Sequence, residues 1–381
     1  MNVAIYGAGV DGEKFYWRWK DKHNIKFVID KNCNREFHDL KVYSLEEIKE
    51  SNILNCVEKL IVTTKEEYYK EISEALIKTD LGSNISFCRA YEFIGREKNK
   101  KKAVIYGNCH LGVLSDYLRS NREFSSKYFV IYYFLGDRII QDLLEKDLSE
   151  CDLLITQDIR NENAVHAWGC EQIINKCNSK CKVIKVPNLY GMNIYFPQSY
   201  LKNEKSNQEI VEYFFAPRDK KLEQMIDDGM DVGEMIKFIN NKKFWSCSEL
   251  RNNFDETINK LKLREEKCDI KISDYIERNY KKKKLFYDPN HPNVDVIREK
   301  GRKILNLLNM KIEESGYAPS IYHDACELFI YGCVKEALSL EFQEDYIKVH
   351  SPEATMVNEP INLEEYVEGY KCCYKKYAKI L

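Results

Sequence analysis

The 381-residue chain has no excess of either charge: 59 lysines and arginines meet 61 aspartates and glutamates, a formal net charge of −2. That balance excludes bulk electrostatic attraction to nucleic acid or to an anionic membrane. Long apolar runs are missing too. The longest, Tyr128 to Leu135, suits one buried strand and falls far below the roughly 20 residues that span a bilayer. The N-terminus lacks the basic segment, apolar stretch and cleavage site of a secretion signal, and Met1-Asn-Val-Ala-Ile-Tyr-Gly7 runs straight into a strand and glycine turn. The expected location is therefore the cytoplasm. In that reducing compartment the 14 scattered cysteines are expected to be free thiols, most of them small buried hydrophobes rather than disulfides.

What is present is enough to fold. Hydrophobic residues make up 44% and charged residues 31%, so a sizeable core can form beneath a charged surface. The length exceeds what one core usually organises, and two domains are expected. The charged stretch Arg96-Glu-Lys-Asn-Lys-Lys-Lys102 reads as the linker, dividing the chain into residues 1–97 and 98–381. Val3-Ala-Ile-Tyr-Gly-Ala-Gly9 is echoed by Ala103-Val-Ile-Tyr-Gly-Asn-Cys109. Each is a short strand entering a glycine turn and a helical pattern, so two α/β units are predicted.

In the first, Gly7-Ala-Gly9-Val-Asp-Gly12 fits the G-x-G-x-x-G pattern between strand and helix, and Phe27-Val-Ile-Asp30 supplies a second strand ending in an acid. Gly7 and Gly9 would permit a tight turn with close backbone approach, Gly12 helix–strand packing, and the helix N-terminus could receive a phosphate. Asp30 could then bond a ribose. The alternative is that the glycines serve the turn alone. Further strands are expected at Lys59 to Thr64 and Ile85 to Cys88, around a helix from Glu66 to Lys78. About 95 residues make roughly half of a full dinucleotide fold. The unit resembles the short Rossmann-like domains attached to sugar-modifying transferases, which implies a nucleotide-sugar ligand or none.

The second unit places Asn108, Cys109 and His110 after Gly107, at the turn between a strand and a helix. Such a turn presents side chains at a sheet's C-terminal edge. A cysteine beside a helix N-terminus meets the positive end of the helix dipole, which favours nucleophilicity; otherwise Cys109 is a small buried residue and Asn108 a turn former. Cys151 to Arg160 reads as a strand whose end carries Gln157, Asp158 and Arg160, and Lys182 to Asn188 as the next. In Leu285-Phe-Tyr-Asp-Pro-Asn-His-Pro-Asn293, the two prolines restrict the backbone around His291.

Gly107-Asn-Cys-His110, the Gln157 to Arg160 strand end, Val186-Pro-Asn188 and His291-Pro-Asn293, in that order, resemble the landmarks of the WcbI capsule-biosynthesis family over roughly Lys102 to Asn309. The family motif commonly reads Gly-Asn-Cys-Gln, so His110 is a departure. The resemblance implies a bacterial enzyme that binds coenzyme A or acetyl-coenzyme A and O-acetylates a sugar of a capsular or other surface polysaccharide. On that reading His291 is the base, Asn108 and the amides after Gly107 supply oxyanion donors, and Gln157 and Arg160, with His110, position the sugar or a phosphate. Direct transfer and a covalent route through Cys109 both remain open. The run Lys281 to Lys284, with Lys283 and Lys284 nearest the His291 loop, either meets coenzyme A phosphates or is a solvated surface.

Two other readings stand beside it: a sugar esterase or deacetylase using the same strand-end residues, and a noncatalytic nucleotide-sugar-binding module that recruits partner transferases through Gly7, Gly9 and Gly12 of the first domain. The partners implied are an acyl donor and a sugar or nucleotide-sugar acceptor, with no nucleic acid, and a homo-oligomer is compatible with this. His166, Cys170, Cys177 and Cys181 could suggest zinc, but no Cys-x-x-Cys pair is present and helix-face packing accounts for the first three, so no metal is expected. His323 and Cys326 carry no expected role. The fold expected overall is α/β: a small Rossmann-like parallel-sheet domain, then a larger α/β domain with a helix-rich C-terminal half. Its helices are predicted at Gln208 to Phe215, Lys220 to Asn240, Asn253 to Lys267, Ile270 to Lys281, Val294 to Leu308, Ser320 to Leu340 and Leu363 to Tyr377. The 26 tyrosines would suit stacking on sugar rings or ordinary packing.

Overall fold

Short, mostly apolar runs form the strands β1 (Asn2–Tyr6), β2 (Asn24–Ile29), β3 (Val42–Tyr43), β4 (Lys59–Val62) and β5 (Ser86–Arg89) of a five-stranded sheet in the order β3-β2-β1-β4-β5. All four pairings are parallel. Alternate residues feed two cores, with Val3, Ile5, Val28 and Ile61 on one face and Ala4, Tyr6, Phe27, Leu60 and Val62 on the other. A sheet covered on both faces is what near-continuous apolar strands require. The structure is a computed structural model and describes residues 1–51, 53–64, 66–78, 85–135, 139, 141–159, 168–197, 199–200, 218–241, 244–313, 327–344, 346–348 and 360–377.

A second parallel sheet has the order β7-β6-β8-β9, from β6 (Lys101–Gly107), β7 (Tyr128–Phe134), β8 (Leu153–Gln157) and β9 (Lys182–Val186). The α/β class expected from the sequence is thus the one observed. By internal contacts the chain divides into one unit of Met1–Ile105, Ser125–Leu154 and Ala164–Val183 and another of Tyr106–Phe124, Ile155–Asn163 and Ile184–Leu381. The first unit carries a buried charge cluster. Lys102 Nζ lies 2.9 Å from Asp147, 3.1 Å from Glu92 and 2.8 Å from Glu150, while Arg89 reaches Asp147 at 3.3 Å. Tyr133 adds a 2.6 Å hydrogen bond to Asp147.

The stretch Arg96 to Lys102, read as a linker, holds the end of a helix, a turn and the start of a strand. Arg96 and Glu97 end the helix Ala90–Glu97, β6 begins at Lys101, and Lys102 is buried. The turn between them is closed by Asn99 at φ 54°, a conformation asparagine tolerates.

In the second unit the core runs from Leu189 to Tyr370 and joins helix faces to the non-helical segments around Leu189 to Phe196, Leu285 to Phe286 and Leu328 to Ile330. The helix expected over Lys220 to Asn240 is two helices, Lys220–Asp227 and Val232–Ile239. Gly229 at φ 80° breaks them, and Asp231 caps the second with a reciprocal bond to Glu234. Of the helix expected over Ser320 to Leu340, only Gly332–Ala337 is helical among the described residues. The backbone just before it is engaged elsewhere, Leu328 donating to the Tyr287 carbonyl and Ile330 to Glu344. The helices Ser273–Asn279, Val294–Leu307 and Leu363–Tyr377 match their sequence patterns within a few residues, while the helix expected from Asn253 to Lys267 starts earlier, as Cys247–Glu265, where Ser246 caps it with a reciprocal bond to Glu249. The segment Gln208 to Phe215 lies outside the described residues. No helix among the described residues is long and apolar enough to cross a membrane.

Candidate active site

β6 and β8 are neighbours, so the turn after Gly107 and the end of β8 at Gln157 meet at the C-terminal edge of the sheet. Asn108 caps the helix Cys109–Ser120, its Oδ1 accepting the His110 amide at 3.1 Å. Gln157, fully buried, clasps this cap: its Nε2 donates to Asn108 Oδ1 at 2.9 Å and its Oε1 accepts the Asn108 amide at 2.9 Å. The clasp needs a glycine beside it. A Cβ on Gly107 would lie 2.6 Å from Gln157 Oε1 and 2.6 Å from Leu111 Cδ1. The Asn108 and His110 amides, expected as oxyanion donors, are therefore engaged within the turn, and Gln157 works as a brace for it.

This geometry sets Cys109 at the first turn of its helix, half-buried and hydrogen-bonded to His291. His291 comes from a tight loop in which Asp288 Oδ1 accepts the Asn290 and His291 amides at 2.6 and 2.9 Å. Asp288 Oδ2 accepts His291 Nδ1 at 2.6 Å, leaving Nε2 as the nitrogen that meets the thiol. Burial disfavours the imidazolium of His291. The hydrogen bonds to Asp288 and Cys109 and their negative charge outweigh it, and the ring is pushed up to about 10. Cys109, His291 and Asp288 thus form a nucleophile, a proton carrier and a carboxylate that orients it.

Around this trio the loops are pinned to each other. Asn188 Oδ1 accepts from Asn108 Nδ2 at 3.4 Å and from the Tyr190 amide at 3.2 Å. Asn290 Oδ1 accepts the Gly191 amide at 3.0 Å. Arg264 donates to the Asn188 and Tyr190 carbonyls at 3.2 and 2.8 Å. Tyr190 is 48% exposed yet feels the charges of Asp288 and Cys109, so an accessible aromatic ring stands at the rim of the site.

His110 is fully buried, and its Nε2 donates to the Asn290 carbonyl. Burial and the nearby Lys300 charge hold it down at about 3, against the pull of that hydrogen bond. Its Nδ1 has no partner. Lys300 is itself fully buried, donates to the Pro187 carbonyl at 2.8 Å, and is lowered by burial to about 7.

Of the other sequence-predicted residues, Lys283 pairs with Asp295 at 2.6 Å and Lys284 with Glu327 and Glu344. Lys284 is thus neutralised by two carboxylates. Arg160 and His166 lie outside the described residues, as do His323 and Cys326. In the first unit, Gly7 sits at φ 113°, and a Cβ on Gly12 would lie 2.0 Å from the Gly7 carbonyl oxygen. Gly9 caps the helix Val10–Trp19. Asp30 accepts the Ala8 amide at 2.7 Å and the Asn32 amide at 3.0 Å, closing the glycine turn. Sequence reasoning missed Asp288, Tyr190 and Lys300. For Asp288 the signal was its position three residues before His291 in a proline turn.

The family model described as polysaccharide biosynthesis enzyme WcbI matches residues 102–313. Among solved structures, a WcbI protein, described as a novel polysaccharide biosynthesis enzyme in its native form without a disulfide bond between coenzyme A and one of its cysteines, aligns with a TM-score of 0.53 at 18% identity. The alignment covers 73% of this chain and 93% of that one. A CobK precorrin-6A reductase (TM-score 0.18, 10% identity, 49% of this chain and 88% of that one) and a pseudomurein peptide ligase from Methanothermus fervidus (0.21, 10%, 47% and 42%) are far less similar. No curated protein matches.

Proposed function

Since the chain belongs to the WcbI family of polysaccharide biosynthesis enzymes, we propose that it is a coenzyme A-dependent O-acyltransferase that acylates a sugar hydroxyl through Cys109. The observation that carries this reading is the hydrogen-bonded series Cys109, His291, Asp288. The coenzyme A named for the related WcbI structure supports a thioester as donor.

Acyl-coenzyme A would supply an activated carbonyl. Cys109 Sγ forms the new bond to that carbon, and His291, held protonated by Asp288, gives its proton to the departing sulfur. Having given up that proton, the imidazole of His291 can accept another. It takes the proton of the sugar hydroxyl as the oxygen attacks the thioester, and Cys109 leaves as thiolate to restore the starting pair. Asn108 and Gln157 keep the helix start rigid during both steps. Tyr190 offers a ring face to the sugar.

The test is intact-mass analysis of the protein after brief mixing with acetyl-coenzyme A alone. One acetyl group on Cys109, discharged by a sugar acceptor, is expected. Steady release of acetate without acceptor would favour the esterase reading, and no acetyl group on wild type would remove Cys109 as the acyl carrier. The glycine turn around Gly7, Gly9, Gly12 and Asp30 is proposed to take a nucleotide-sugar, which isothermal titration of Gly9→Val against wild type would check.

A further inference from the structure

In the first unit, three thiols converge from three places in the chain. Cys151, fully buried, stands between the helix Gln141–Glu150 and β8; Cys177 ends the helix Cys170–Lys176; Cys181 leads into β9. Cys151 Sγ lies 3.2 Å from Cys181 Sγ and 3.9 Å from Cys177 Sγ, and all three sulfurs fall within 4.8 Å of one another. The arrangement is fixed by its own backbone. Asn178 Nδ2 donates to the Cys151 and Ser149 carbonyls at 2.7 and 3.2 Å, and the Cys181 amide bonds back to the Asn178 carbonyl at 3.0 Å. Cys177 and Cys181 are half-buried, which gives an ion a way in.

We propose that Cys151, Cys177 and Cys181 form a three-thiolate site for Zn²⁺, with water as the fourth ligand. A zinc–sulfur bond of about 2.3 Å in tetrahedral geometry separates sulfurs by about 3.8 Å. The Cys151 to Cys177 pair already lies near that spacing, and the Cys151 to Cys181 pair reaches it by opening about 0.6 Å from 3.2 Å. Soft thiolates select zinc over calcium or magnesium. Binding replaces the thiol protons, which pass to solvent, and no oxidant is needed. The ion would tie the start of β8 to the end of the Cys170–Lys176 helix and the start of β9. Cys170, one of the four residues grouped by sequence spacing, is buried outside this cluster, and Cys151 takes its place.

The experiment uses the full chain, reduced and stripped of metal, titrated with Co²⁺ as a spectroscopic probe and then with Zn²⁺. One equivalent of Co²⁺ giving thiolate-to-metal charge-transfer absorption, displaced by Zn²⁺, is expected, with a rise in thermal midpoint. Cys177→Ser and Cys181→Ser should lose the band while keeping the metal-free melting curve, and the exposed Cys56→Ser should keep the band. Absence of stoichiometric binding in reduced wild type overturns the proposal. So does a band that survives the Cys177→Ser, Cys181→Ser double variant. A Cys151 to Cys181 disulfide in oxidised protein, together with no metal binding after reduction, would make the cluster a redox pair and equally reject the site.

Discussion

Gln157 and Asn108, 49 residues apart, hold each other by two 2.9 Å hydrogen bonds, one to the amide side chain and one to the backbone of the cap that starts the Cys109 helix. Gln157→Leu keeps the volume and removes both bonds. Half-buried Asn108 then loses the bond to its amide and the one to its side chain, at a cost of about 1–3 kcal/mol. Urea denaturation should show that loss, and acyl transfer should fall with it because Cys109 follows the cap. Unchanged stability would mean the Asn108 amide had found another partner.

How much of this was visible beforehand depends on the distance in sequence between partners. The Gly107 to His110 turn and the proline-flanked His291 are local signals, and both land in the site. The Asp288 carboxylate is only three residues from His291, but spacing alone does not say that it turns back onto the ring instead of into solvent. Lys284 looked like a candidate for phosphate because its neutralising partner, Glu344, lies 60 residues on. Lys102 looked like linker for the same reason, since Asp147 is 45 residues away. Periodicity finds helices and strands; it carries no information about which distant carboxylate meets a given lysine.

Asp288→Asn should separate orientation from charge. The asparagine can still bond His291, but the carboxylate that helps hold the ring up at about 10 is gone. In wild type the imidazolium persists as pH rises until about 10, so activity that depends on it falls only above that region. The variant should show this alkaline limb shifted toward the ordinary histidine range near 6.5, with a rate lower by on the order of 10²–10⁴. A pH–rate profile of kcat/KM checks it; an unmoved limb would detach Asp288 from the mechanism.

Lys102→Met tests the buried charge cluster of the first unit. It removes one cation from contact with Asp147, Glu92 and Glu150 and leaves carboxylates with reduced compensation in a buried place. Breaking such a pair by removing one partner costs about 3–5 kcal/mol. Chemical denaturation monitored by tryptophan fluorescence should report a loss of this size, and a change below about 1 kcal/mol would show that the cluster behaves as an exposed ion pair.

His110 makes the fold sensitive to acid. Burial, then the charge of Lys300, holds it down at about 3 in the folded chain, while the unfolded chain protonates it near 6.5. The contribution is therefore fully present above pH 6.5 and is lost as pH falls toward 3, with a slope of up to about 1.4 kcal/mol per pH unit. Below about pH 5.5, a unit under the ordinary histidine value, Lys300 with its folded value of about 7 and His291 are charged in both states, so neither adds to the slope there. His110→Gln keeps a donor for the Asn290 carbonyl and cannot titrate. Subtracting its stability curve from that of wild type cancels the carboxylates, and the difference should tilt against wild type from pH 6.5 downward. Parallel curves would mean that the unpartnered Nδ1 of His110 takes up its proton as readily in the folded chain as in the unfolded one.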